Sequence, residues 1–166
     1  MEGKDCRNLV ERSLPRSLIL GHSFIRRMKV FLKNNAGNSL FNEHFDLKNS
    51  FLVKLIGSGG RTIERLMRYD LMATRATKPD ILVVEIASND LCDPLADPGI
   101  LGETIIAFVD VLRHEIQHEF TVICQVIPRR NPPFPKYNQR VKKLNKCLWE
   151  NVGRFQRGEI FAPSRA

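Results

Sequence analysis

Three short stretches of the chain hold residue types able to handle a developing negative charge. Gly21-His22-Ser23 stands in "LILGHSFIRRM", between an apolar run and a segment of helical period. A serine hydroxyl attacks a carbonyl only if a base takes its proton and fixed donors hold the resulting oxyanion. The stretch "GSGGRT" (57–62) supplies glycines, whose missing Cβ lets backbone N–H groups approach a ligand closely. The stretch "ASND" (87–90) adds the Asn89 carboxamide, a neutral N–H donor. Serine, bare backbone N–H and asparagine are the parts of an oxyanion-stabilised acyl transfer. Standing alone, Ser23 would read as a helix N-cap; with the two other blocks in register it reads as a nucleophile position.

The elements that must position these stretches follow from hydrophobic periodicity. Short β-type runs fall at 17–20, 51–56, 81–86, 120–127 and 159–162 and alternate with segments of helical period. Ile105, Phe108, Val109, Leu112 and Ile116 form one helical stripe, Val141, Leu144, Leu148 and Val152 a second, and Phe24, Met28, Phe31 and Leu32 a shorter third. Near-continuous apolar strands separated by amphipathic helices call for a parallel sheet covered on both faces, an α/β fold in three α/β/α layers. In such sheets ligands bind where the strands end, and the three stretches follow the first, second and third strands. One domain over residues 1–166 is expected, with 1–15 as a flexible N-terminal segment and loops at 34–50 and 128–136.

The three blocks together resemble those of the SGNH (GDSL-type) hydrolases. "LILGHSF" is similar to the family's nucleophile block, "GSGGRT" to its glycine block and "KPDILVVEIASNDL" to its Gly-x-Asn-Asp block. The resemblance implies a five-stranded parallel, flavodoxin-like sheet and an esterase acting on a small acyl ester without a cofactor. Ser23 would be the nucleophile, and Gly60, Asn89 and the Ser23 N–H would form the oxyanion hole. "GHSFIRRM" and "YNQRVKKLNKCL" look more like SGNH-type domains of animal genomes, including some carried by retrotransposons, than like bacterial secreted esterases. The chain departs from the family pattern in three places. His22 stands where Asp is usual, and Ala87 replaces a glycine, so its methyl would crowd the site if φ there were positive. The resemblance also implies a catalytic Asp and His three residues apart after the fifth strand, whereas the sequence ends at "EIFAPSRA" without them. A C-terminally truncated domain with at most trace turnover is therefore expected.

No other histidine is well placed to serve as the base. His22 adjoins Ser23, where neighbouring side chains diverge, and His44 lies in the loop before the second strand. His114 and His118 sit late in the helix after the third strand, roughly 20 Å from its start. "HEIQH" (114–118) matches the zinc-protease pattern, yet with Leu112 and Ile116 facing the core both histidines should point to solvent, and no metal is expected. Nucleotide binding is disfavoured as well. A dinucleotide fingerprint needs glycine where Thr62 stands, and a P-loop needs the Gly-Lys that "GGRT" lacks.

A net charge of +8 suits polyanionic partners. Lys136, Arg140, Lys142, Lys143 and Lys146, with Arg129, Arg130, Phe134 and Tyr137, could bind single-stranded nucleic acid weakly, or could be a solvated outer face. Cys6, Cys92, Cys124 and Cys147 lack metal-type spacing and read as reduced thiols. Charges throughout the N-terminal stretch exclude a signal-type h-region, and no membrane span is present, so an intracellular protein is expected.

Overall fold

The computed structural model describes residues 14–35, Phe45 and 51–152. Four strands, β1 (Arg16–Gly21), β2 (Leu52–Gly57), β3 (Ile81–Glu85) and β4 (Phe120–Ile123), form one parallel sheet in the order β2-β1-β3-β4. The helices are α1 (Ser23–Asn34), α2 (Ile63–Tyr69), α3 (Leu71–Thr77), α4 (Pro98–Ile116) and α5 (Tyr137–Val152), and a 3-10 turn spans Asp90–Cys92. The order is that of a flavodoxin-like α/β fold, in which the chain reverses direction across the sheet beside β1. The expected strand at 159–162, the N-terminal segment, Cys6 and His44 lie outside the described residues.

Alternation along the strands divides the core in two. Leu18, Leu20, Leu82 and Val84 are fully buried and share the larger cluster with Ile105, Phe108 and Leu112 of α4 and Val141, Leu144 and Leu148 of α5. Both predicted long stripes therefore face this cluster. On the other sheet face Leu55 packs with Ile25 and Leu32 of α1. The predicted stripe of α1 is displaced: Ile25 is buried, whereas Phe24 and Phe31 are 43% and 50% exposed. The cause lies at the strand ends, where Ile25 is driven against two glycines. A Cβ on Gly21 would lie 2.5 Å from both the Ile25 side chain and the Glu85 carbonyl, and one on Gly57 would lie 2.9 Å from Ile25 Cβ.

β4 is shorter than the apolar run 120–127 suggested. Beyond it the backbone is held by a side chain of α5 in place of a neighbouring strand: Val126 N–H donates to Asn145 Oδ1, and Asn145 Nδ2 donates to the Val126 carbonyl. That exchange releases the following residues to form a loop over the carboxyl rim of the sheet.

Candidate functional site

The rim after β1 is organised by His22. It caps α1, with Nδ1 accepting from Phe24 N–H at 3.2 Å, so the ring proton sits on Nε2. Nε2 stands 2.8 Å from Glu85 Oε1 at the end of β3, a close polar contact that falls short of a well-directed hydrogen bond. His22 and Glu85 are both buried. The residue that departs from the family pattern thus braces the loop itself, and Ser23 is the first residue of the helix, not its cap. Among the described residues the Ser23 hydroxyl makes no hydrogen bond.

The exits of β2 and β3 are stitched together. Asn89 Nδ2 donates to the Arg61 carbonyl at 2.8 Å, and Asp90 Oδ1 accepts from Ile63 N–H at 3.1 Å, while the Thr62 side chain caps α2. Burial pushes the Asp90 carboxyl above its ordinary range, against the bond from Ile63. Gly60 adopts φ +65°, a conformation that favours glycine, and it adjoins the carbonyl that Asn89 binds. Ala87 has φ 78° and is fully buried, so its methyl occupies the strained position that a positive φ implies.

Ser23 and Asn89 line one cavity of about 530 Å³, together with His22, Glu85, Ser88 and Arg129. Gly60 is not part of that lining; it sits on the β2 side, one residue from the carbonyl that anchors Asn89. The structure also adds to the site the loop 127–131 after β4, which the sequence marks only as a basic loop. The rule that ligands sit at strand ends, applied to the fourth strand as to the other three, was the signal that could have found it.

No described histidine stands ready to take a proton from Ser23. Both nitrogens of His22 are directed elsewhere, and His114 is exposed on α4. His118 corrects the expectation of a solvent-facing residue. α4 ends at Ile116, Gln117 turns into the left-handed region at φ 55°, and His118 is buried with Nε2 on the Thr121 hydroxyl. The two histidines of "HEIQH" therefore do not share a helix face, and Glu115 pairs with Arg75. Among the described residues no group of three or more His, Cys, Asp or Glu side chains could hold a metal ion.

Part of the basic segment is used inside the molecule, while Arg130, Lys136, Lys142, Lys143 and Lys146 are exposed. Tyr137 is fully buried, Arg129 lies over its ring at 5.0 Å, and Arg140 lies over Phe134 at 5.4 Å while bonding the Ala96 carbonyl. Lys136 immediately precedes α5. Cys92, Cys124 and Cys147 are free thiols, and burial, with Glu85 nearby, pushes Cys124 up to about 11. Among the described residues no helix is long and apolar enough to cross a membrane.

Residues 22–161 match the family model described as GDSL-like Lipase/Acylhydrolase. No curated protein sequence matches the chain. Among solved structures, a Bacteroides fragilis protein assigned as an acylhydrolase is similar with a TM-score of 0.58 at 17% identity, over 96% of this chain and 78% of that one. The psychrotrophic esterase EstA of Pseudoalteromonas sp. is similar with a TM-score of 0.58 at 15% identity, over 89% and 76% of the two chains. The acetyl xylan esterase AlAXEase is similar with a TM-score of 0.59 at 12% identity, over 89% and 76%.

Proposed function

The chain belongs to the GDSL-like lipase/acylhydrolase family, and from that premise we propose that the cavity at the carboxyl rim binds an acyl ester with its carbonyl at Ser23. Ser23 is the nucleophile, the Ser23 N–H and the Asn89 carboxamide are oxyanion donors within the cavity, and the Gly60 N–H, from beside its lining on the β2 side, is the third donor. One observation supports this reading above the rest: Ser23 and Asn89 line a single cavity. Asn89 spends one N–H on the Arg61 carbonyl, which orients its amide and leaves the second N–H for a ligand.

The 166 residues alone should hydrolyse esters slowly, because no described histidine reaches Ser23 and none follows His118 in the sequence. Donors and binding without a working base still accelerate acyl transfer by roughly 10³-fold over water. The test is hydrolysis of a short acyl ester by the chain and its Ser23→Ala and Asn89→Ala variants. A slow rate that falls in both variants is expected. A rate indifferent to Ser23→Ala would remove the nucleophile assignment, and fast Ser23-dependent turnover would remove the expectation of slow chemistry.

The competing reading is a non-catalytic domain, retroelement-derived or accessory, that binds nucleic acid or a protein partner through its basic residues, and it rests on the charge of +8. Internal use of Tyr137, Phe134, Arg129 and Arg140 weakens it, since base stacking needs accessible rings. Strong retention on a polyanion column, lost steeply with added salt, would favour it.

A further inference from the structure

The walls of the same cavity are unevenly charged. Arg27 from α1 and Arg129 and Arg130 from the loop after β4 line it, against one carboxylate among the described residues, Glu85, which stands 2.8 Å from His22. Arg129 is half-buried and held from several sides. Its backbone is clamped by Asn138, which accepts from its N–H at 2.9 Å and donates to its carbonyl at 2.8 Å. Its guanidinium lies over Tyr137 and donates to Ser88 Oγ at 2.7 Å, the Ser88 carbonyl at 3.3 Å and Cys92 Sγ at 3.5 Å. Every one of those acceptors is neutral, and among the described residues no carboxylate pairs with it. Arg27 and Arg130 are exposed and have no bonded partner among the described residues. The N-terminus of α1 opens on the cavity through His22, Ser23 and Phe24, and its first turn contains no acidic residue.

A guanidinium is charged at any working pH and is suited to carboxylate and phosphate oxygens, which it grips with two parallel N–H donors. Fixing one in a half-dry wall with only neutral acceptors leaves its charge uncompensated. Two further arginines and a helix N-terminus with no acidic residue in its first turn add positive potential in the same space, and a cleft lined mainly by one sign of charge concentrates ligands of the other. A neutral acyl ester would use none of this. We infer that the ester taken by this site carries an anionic group, a carboxylate or a phosphate, and that Arg129 binds that group with help from Arg27 and Arg130. The inference rests on the ester reading for the carbonyl end of the ligand and adds the class of substrate.

The test is binding by the 166-residue chain, measured by NMR titration with amide analogues that resist turnover. Two are anionic, 4-acetamidobenzoate and 4-acetamidophenyl phosphate, and one is neutral, 4-acetamidobenzamide. At low salt the preferred anion should bind about tenfold tighter than the neutral analogue. That gap should narrow as salt rises. The anionic pair tells carboxylate from phosphate. Arg27→Gln combined with Arg130→Gln should weaken the anionic ligand about fivefold and leave the neutral one unchanged. Arg129→Lys, which keeps the charge and loses the fork, should also weaken only the anionic ligands. Equal affinity for all three analogues, or no saturable binding of either anion, would overturn the inference. If benzoate alone bound as tightly as 4-acetamidobenzoate and Asn89→Ala changed neither, the arginines would stand as an anion site and the ester reading would fall.

Discussion

The two rims of the sheet each bury a histidine, and they hold it in opposite ways. At the carboxyl rim His22 is 6% exposed, and both ring nitrogens face polar partners, the Phe24 N–H and the Glu85 carboxyl. At the amino rim His118 is 8% exposed with Nε2 on Thr121, while Nδ1 has no partner among the described residues. Near-equal burial has unequal consequences. Burial, reinforced by Arg113, pushes His118 down to about 4, so its ring stays neutral over most of the accessible pH range. His22 instead ties the start of α1 to the end of β3. A histidine beside a candidate nucleophile can thus be a structural brace, and its sequence neighbour says nothing about where its nitrogens point.

The contrast breaks most directly at His22. His22→Ala removes the helix cap and strands the Glu85 carboxyl in a buried position, for an expected loss of about 3 kcal/mol in urea unfolding. His22→Asn can cap but is too short to reach Glu85, and should recover about 1 kcal/mol of that loss. A loss of the same size on His118→Ala would erase the difference between the rims.

Acid sharpens the comparison from the other side. His118 titrates near its ordinary 6.5 in the unfolded chain and near 4 when folded. Between those values the unfolded state binds more protons, so stability falls as pH is lowered from 6.5 towards 4 and returns as pH is raised. His118→Gln should flatten that part of the stability profile. An unchanged slope would assign the acid sensitivity to another group.

Smaller effects probe how tightly the carboxyl rim is stitched. Asn89→Ala removes the bond to the Arg61 carbonyl and should lower stability by about 1 kcal/mol in thermal unfolding, apart from any effect on ester turnover. Ala87→Gly should have the opposite sign. Relief of the positive φ outweighs the extra flexibility of glycine, for a gain of about 1 kcal/mol or less. A loss of stability there would show that the Ala87 methyl contributes more by packing than it costs in strain.

Much of the frame was legible in the residue pattern. The runs at 17–20, 51–56 and 81–86 matched strands to within a residue or two, and the stripes on α4 and α5 face the core, because strand and helix periodicities are written locally. The stripe on α1 was misplaced because Phe24 and Phe31 are as apolar as Ile25, and only the close approach of Gly21 and Gly57 selects which of them turns inward. Within "HEIQH", the expectation for His118, but not that for the exposed His114, failed at a single backbone torsion. Gln117 leaves the helical region, and a helical projection carried past that point sends His118 in the wrong direction. The loop 127–131 was read for its charge, and its place in the cavity became visible only once β4 was set beside β3.

The sequence by itself determined the order of strands and helices and placed glycine, serine and asparagine at strand ends, since turn chemistry and hydrophobic period act over a few residues. Only the tertiary structure decided that Ser23, Asn89 and three arginines line one cavity, that His22 serves as a brace and that His118 is buried. Those outcomes depend on parallel crossovers that bring segments tens of residues apart to the same rim, and no local pattern encodes that distance.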